Sequence, residues 1–177
     1  TIGRRQPSGA WLPLRRGPFS LGTHYPLATI RVSSRATERT RPVPERSIGA
    51  RFGDGILLEG VDVLAHEEGL RLNLYWQALE PMDSAFKLFV HAVGDGGPSD
   101  IRAQVDEYPD VPTSGWVPGE YLVDSVLLEM PATLLASDPT LMIGWYDEST
   151  GLRLVAQSAA GEDLGTAFTL QMSPSGE

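Results

Sequence analysis

Between residues 70 and 92 the chain twice alternates apolar and polar side chains with a period of two. Leu70, Leu72, Leu74 and Trp76 are interleaved with Arg71, Asn73, Tyr75 and Gln77. Phe86, Leu88, Val90 and Ala92 repeat the pattern, with Lys87 and His91 expected to face outward. A helix buries one residue in three or four, so this period predicts strands with one face in a core. Further strands are predicted at Ile56–Leu64, Ile101–Val105, Tyr121–Met130, Leu141–Tyr146, Leu152–Ala156 and Ala167–Met172. Gly60 interrupts its alternation and predicts a bulge. Nineteen glycines and fourteen prolines supply the turns, among them Gly94–Pro98 and Ser149-Thr150-Gly151. A helical turn at Ala132–Ser137 is expected as a connector only. The reading is an all-β fold: a two-sheet antiparallel β-sandwich, immunoglobulin-like or jelly-roll-like, with an extended basic arm before it. The expected core is Leu72, Leu74, Trp76, Leu88, Val90, Val126, Leu128, Ile143, Phe168 and Leu170.

The arm follows from charge and proline. Residues 1–51 hold ten arginines against Glu38 and Glu45, a balance of +8 that leaves -17 for the rest of a chain whose net charge is -9. Six prolines punctuate the first fifty residues, and only Ala28–Val32 looks like a short strand. Residues 1–49 are therefore read as an arm or linker, and 50–177 as the sandwich. A basic arm on an acidic body has three partners to hand: a membrane surface, nucleic acid, or an acidic body, its own or a neighbour's. Nucleic acid fits worst, because the body repels phosphate and the arm has few aromatics to stack bases. Docking on an acidic body is the expectation, which makes the arm a candidate for self-association or for binding a partner protein. No apolar stretch approaches the roughly 18 residues that span a bilayer, so any export signal or anchor is expected outside these residues.

Catalytic signatures are missing from the sequence. With no cysteine there is no thiol nucleophile, disulfide or thiolate metal site. There is no glycine-flanked serine elbow, phosphate-binding glycine loop or His-Glu-x-x-His motif. His24, His66 and His91 lack ligand spacing. No cofactor is called for, and the chain is read as a non-enzyme. The acids of Asp106-Glu107-Tyr108-Pro109-Asp110 and Asp147-Glu148 suit solvated turns. A structural calcium ion is a better use for them than glycoside hydrolysis, which needs two carboxylates across a cleft.

One loop, Pro112-Thr113-Ser114-Gly115-Trp116-Val117-Pro118-Gly119-Glu120, offers a candidate site. Trp116 is expected to cap one end of the sandwich; the alternative is an exposed platform on which a sugar stacks. The candidate ligand-binding residues are Trp116, Thr113, Ser114, Glu120 and Asp124. Asp124 lies in register with Leu122, Val126 and Leu128, an odd phase for a carboxylate. Either a bulge turns it outward or it is buried, taking backbone N–H bonds from Thr113–Gly119.

The same stretch carries a resemblance. Tyr75-Trp76, Leu79-Glu80-Pro81, Phe89-Val90-His91 and Gln104-Val105-Asp106 come first in order. Pro112-Thr113 with Trp116 and Pro118-Gly119-Glu120 follow, then Asp124, Trp145-Tyr146-Asp147 and Thr150-Gly151-Leu152-Arg153-Leu154. In order and spacing, over about residues 50–173, this resembles the β-sandwich that follows the last membrane helix in multi-pass bacterial glycosyltransferases related to protein O-mannosyltransferases. His24-Tyr25-Pro26 looks like that family's link to the membrane portion. The resemblance implies an accessory domain outside the cytoplasm, at the cell surface or extracellular, serving glycan handling. It supplies no catalytic residues, since in the family those lie in the membrane portion. Ten arginines beside a membrane helix would stay cytoplasmic. The alternative is therefore a secreted structural subunit of a surface assembly, its arm clasping a neighbour.

Overall fold

The computed structural model describes residues 35–172 and, ahead of them, only the paired dipeptides Arg15–Arg16 and Phe19–Ser20. The predicted strand Ala28–Val32 and His24 lie outside the described residues. The chain divides into a unit ending at Ala36 and a second beginning at Thr37.

The second unit is an antiparallel sandwich of two sheets. Its strands are β1 (Arg46–Phe52), β2 (Ile56–His66), β3 (Gly69–Ala78), β4 (Lys87–Val93) and β5 (Ile101–Glu107), then β6 (Tyr121–Glu129), β7 (Thr140–Tyr146), β8 (Ala156–Gln157) and β9 (Phe168–Gln171). A single helical turn, α1 (Ala132–Leu135), joins β6 to β7. One sheet runs β8-β1-β2-β3-β6 and the other β9-β7-β4-β5. The alternation of β3 is realised: Leu70, Leu72, Leu74 and Trp76 are buried while Arg71, Asn73, Tyr75 and Gln77 lie half-exposed on the outer face. Every member of the expected core is buried except Phe168, which packs against the core partly exposed from the edge strand β9.

The break in the β2 alternation has a physical cause. Register shifts between Leu58 and Gly60, leaving Glu59 as the extra residue of a bulge. A Cβ on Gly60 would collide with the Pro44 ring and the Arg46 carbonyl. The glycine is thus the floor on which residues 37–45 lie as they cross this sheet. Along this strap the Glu38 carbonyl accepts from the Tyr121 amide at 2.8 Å. Arg41 grips Glu59 through Nε at 3.0 Å and Nη2 at 2.6 Å, and the Glu45 amide donates to Asp62 at 2.7 Å. The Glu59 carboxylate is 6% exposed, so its ion pair is half sunk into the sheet. The expected boundary at residue 50 therefore moves forward. The strap and the first half of β1 are part of the sandwich, because the bulge leaves a buried carboxylate that only the strap's arginine reaches among the described groups.

Two other expectations are corrected. His91 does not face solvent: it is 6% exposed, 4.8 Å from the Phe89 ring and 3.2 Å from Asp106. The β4 strand is covered on both faces, because Arg153 lies over Phe89 at 4.3 Å on the outer side. Leu152–Ala156 is not one strand. Arg153 bridges to Tyr146 in one sheet, whereas Ala156 pairs with Phe52 in the other. The segment crosses between sheets, and no continuous ladder can follow it.

Two outcomes follow for stability. Leu74→Ala, at a position with no exposure, is expected to cost about 2–5 kcal/mol in denaturant unfolding. A chain cut to begin at Thr37 should keep the unit whole. One cut to begin at Ala50 loses Arg41 and the Pro44 contact, and should unfold at least about 2 kcal/mol more easily. Equal midpoints for the two truncations would show that the strap contributes nothing.

Candidate functional site

The loop between β5 and β6 is built inward. Its Thr113 hydroxyl donates to the Ser84 carbonyl at 2.9 Å and accepts from the Phe86 amide at 2.8 Å, pinning the loop to the start of β4. A 3-10 turn over Thr113–Gly115 follows, and it delivers Trp116 into the sandwich. The indole N–H donates to the Val111 carbonyl at 2.7 Å. The ring stands edge-on to Trp145 at 5.8 Å, and Trp145 meets Trp76 at 4.9 Å. Trp76 in turn meets Phe52 at 6.1 Å. Four aromatic rings thus run from the loop through both sheets. Edge-to-face pairs at such separations add to the area they bury. Gly119, at φ +80°, makes the return turn, and Glu120 folds back to accept the Val117 amide at 2.6 Å.

The five candidate residues therefore divide by burial. Thr113, Trp116 and Glu120 have no exposure, Asp124 is 8% exposed, and Ser114 is half-buried. Trp116 is the cap; no sugar can stack on a ring with no accessible face. The expected bonds from the Thr113–Gly119 backbone to Asp124 are not made, since within that loop it is Glu120 that takes the Val117 amide.

Asp124 instead faces the acidic turn ahead of the loop. Burial pushes its carboxyl up to about 6; the Asp110 amide pulls it down, and the Asp110 and Glu107 charges add to the rise. The Trp76 indole N–H also favours the ionised form, but neither Trp76 Nε1 nor Asp124 Oδ2 makes a well-formed hydrogen bond. Glu107 is likewise raised, by burial first and then by Asp110. Sequence reasoning placed Glu107 and Asp110 in a turn and Asp124 in a strand. The cross-sheet proximity that unites them has no local signal.

No family model, curated protein or solved structure matches this chain.

Among the described residues no group of three histidine, aspartate or glutamate side chains is placed to hold a metal ion. His66 Nδ1 accepts the Glu68 amide at 3.3 Å, and His91 is paired with Asp106. At the far end of the acidic turn the Tyr108 hydroxyl and Lys87 both hold Glu148, each at 2.8 Å.

Asp124 yields a pH prediction whose sign is the reverse of an ordinary paired aspartate. Its folded pKa of about 6 lies above the ordinary 3.8, so the folded state holds the proton more tightly than the unfolded one. Its contribution is neutral below about pH 4, grows unfavourable between pH 4 and 6, and stays so above. Roughly two units of difference correspond to about 2–3 kcal/mol. Asp124→Asn is therefore expected to be more stable than the parent at pH 7.5 in metal-free buffer, with the advantage gone at pH 4. Parallel denaturant titrations at the two pH values check this. A variant less stable than the parent at pH 7.5 would show that the carboxylate is well solvated or paired.

Proposed function

We propose that the chain is a non-catalytic β-sandwich module working outside the cytoplasm, an accessory domain for glycan handling by a membrane glycosyltransferase. One observation carries this reading. Trp76, Thr113, Trp116, Glu120 and Trp145, residues on which the resemblance rests, are packed together as the plug of the sandwich. A motif of this kind encodes a scaffold: Thr113 is engaged by backbone at the entry to β4 and Glu120 by the loop's own backbone. Glycan contact, on this reading, falls to the exposed surface and not to Trp116. The membrane portion of a longer protein, or of a separate one, would be the partner.

A second reading is favoured by the Arg41–Glu59 clasp. It makes the chain a structural subunit of a surface assembly, with further arginines of the arm gripping carboxylates of a neighbouring copy. Because Glu59 is buried, losing its arginine would leave a carboxylate without its partner inside the sheet, a cost that an exposed pair does not carry.

Glycan-array binding by the intact chain, run beside a panel of glycosidase and esterase substrates, separates these readings. Retention of a glycan class without turnover is the expected result. Turnover of any substrate at a rate above buffer would overturn the accessory role. Absence of glycan binding, together with self-association that dissolves in salt, would favour the subunit.

A further inference from the structure

On the outer face of the first sheet, three side chains stand in one row across β8, β1 and β2. Register pairs Gln157 with Arg51, and Arg51 with Leu57. Their sequence neighbours Ala156, Phe52, Ile56 and Leu58 are buried in the core, so the row itself points outward. It lines a cavity of about 380 Å³, bordered by the turn that follows β8. That turn is tied to itself: Ser158 Oγ accepts the Ala160 and Glu162 amides at 3.2 and 3.1 Å, and the Ser158 carbonyl accepts the Gly161 amide at 2.9 Å. Gly49, at φ +81° where the register of β1 shifts, lets the turn come in close. A Cβ at this position would lie 3.2 Å from that of Ala159.

Arg51 sets this cavity apart. Among the described arginines it alone makes no hydrogen bond, ion pair or ring contact; Arg41 and Arg102, by contrast, are paired with Glu59 and Asp100. In a chain of net charge -9, a guanidinium with no carboxylate on it is the exception. The Gln157 side-chain amide beside it is exposed and likewise unbonded. Since the turn's amides are taken up by Ser158, the donors left for a ligand are the guanidinium fork and the Gln157 amide. The apolar part of the wall is the half-buried Leu57 side chain.

These groups select a ligand by class. A guanidinium matches a carboxylate through two parallel N–H···O bonds. A primary amide both donates to and accepts from hydroxyls, and an apolar side chain takes the C–H face of a ring. A phosphate dianion suits the cavity less well. A single arginine answers it, and Asp163, bridged to Gln157, adds repulsion that grows with the ligand's charge. We propose that this cavity binds a hexuronic acid unit of a glycan, with its carboxylate on Arg51, its hydroxyls on Gln157 and its ring against Leu57. The proposal rests on the glycan reading above and gives it a ligand class and a place. One such sugar, with about thirteen heavy atoms, binds on the order of 1 mM.

Titration of the intact chain with glucuronic acid at pH 7.5, followed by NMR at the Arg51 guanidinium and the Gln157 amide, tests the site. Glucose, acetate and inorganic phosphate are run beside it. Glucuronic acid is expected to bind on the order of 1 mM, and each of the other three at least about tenfold more weakly. Arg51→Gln should weaken glucuronic acid at least about tenfold, and Arg51→Lys, which keeps the charge but loses the fork, at least about threefold. Both positions in the row that carry polar groups are exposed, so Arg51→Gln and Gln157→Ala should unfold at the parent's midpoint. Arg102→Gln makes the same charge change on the other sheet and should bind as the parent does. The site is overturned by no binding up to about 20 mM, by any of the three comparison ligands matching glucuronic acid, or by undiminished binding in Arg51→Gln. A glycan array run with parent and Arg51→Gln separates this site from the reading beneath it. Loss of uronic-acid glycans in the variant supports the site. Glycans retained equally by both chains overturn the site and leave the accessory role standing, whereas no glycan retained by the parent overturns both.

Discussion

The sandwich is held by an aromatic column that crosses it. Trp76 projects from β3 in one sheet and Trp145 from β7 in the other, and their rings meet at 4.9 Å. Sheets packed face to face stand about 10 Å apart, a gap two large side chains can fill. Trp116 closes the column from the loop end, and Phe52 extends it along the first sheet. With no cysteine, the fold has no covalent staple between its sheets, so burial of these rings takes that place. The column also fixes what the loop can be. Once Trp116 is committed inward, Thr113 ties the loop to the entry of β4 and Glu120 satisfies the turn's backbone, and all three are buried.

Much of this was legible because the period-two signal is local. Leu70 to Gln77 could not sit on a helix without scattering its leucines around the axis, and the strand was found where the alternation placed it. Gly60 was also readable, since a glycine in a strand marks either a bulge or a close approach, and here it marks both. The failures were of another kind. His91 has the phase of an outward residue and was read so; it packs beside the Phe89 ring and against Asp106 of β5, and the Phe89 ring is itself covered by Arg153, more than sixty positions on, which alternation cannot reveal. The domain boundary was set by proline density. The feature that moves it is a single arginine reaching a carboxylate at the bulge.

The loop shows how one pattern supports two readings, of which the expected cap is the one the structure has. A tryptophan among turn residues has the composition of a sugar platform and of a cap, and both readings predict the same sequence. What separates them is whether a neighbouring ring is in place to receive it, and Trp145 is. Asp124 was singled out for its phase, and the phase was informative: it is inside. Its neighbours were misassigned, because the turn facing it belongs to the other sheet. That contact thus lies where the two sheets meet, and no short motif spans both.

The aromatic column has an optical consequence. The indoles of Trp76, Trp116 and Trp145 stand close enough, and at angles of 66° and 88°, for their excited states to couple. The link between Trp76 and Trp145 joins rings from different sheets, so its coupling registers the separation of those sheets and not the integrity of either. Near-ultraviolet circular dichroism is consequently an intrinsic gauge of whether the sandwich is closed. Far-ultraviolet signal would persist in a state whose strands survive but whose faces have parted. A domain of this kind carries its own reporter of the step at which packing, and not pairing, is lost.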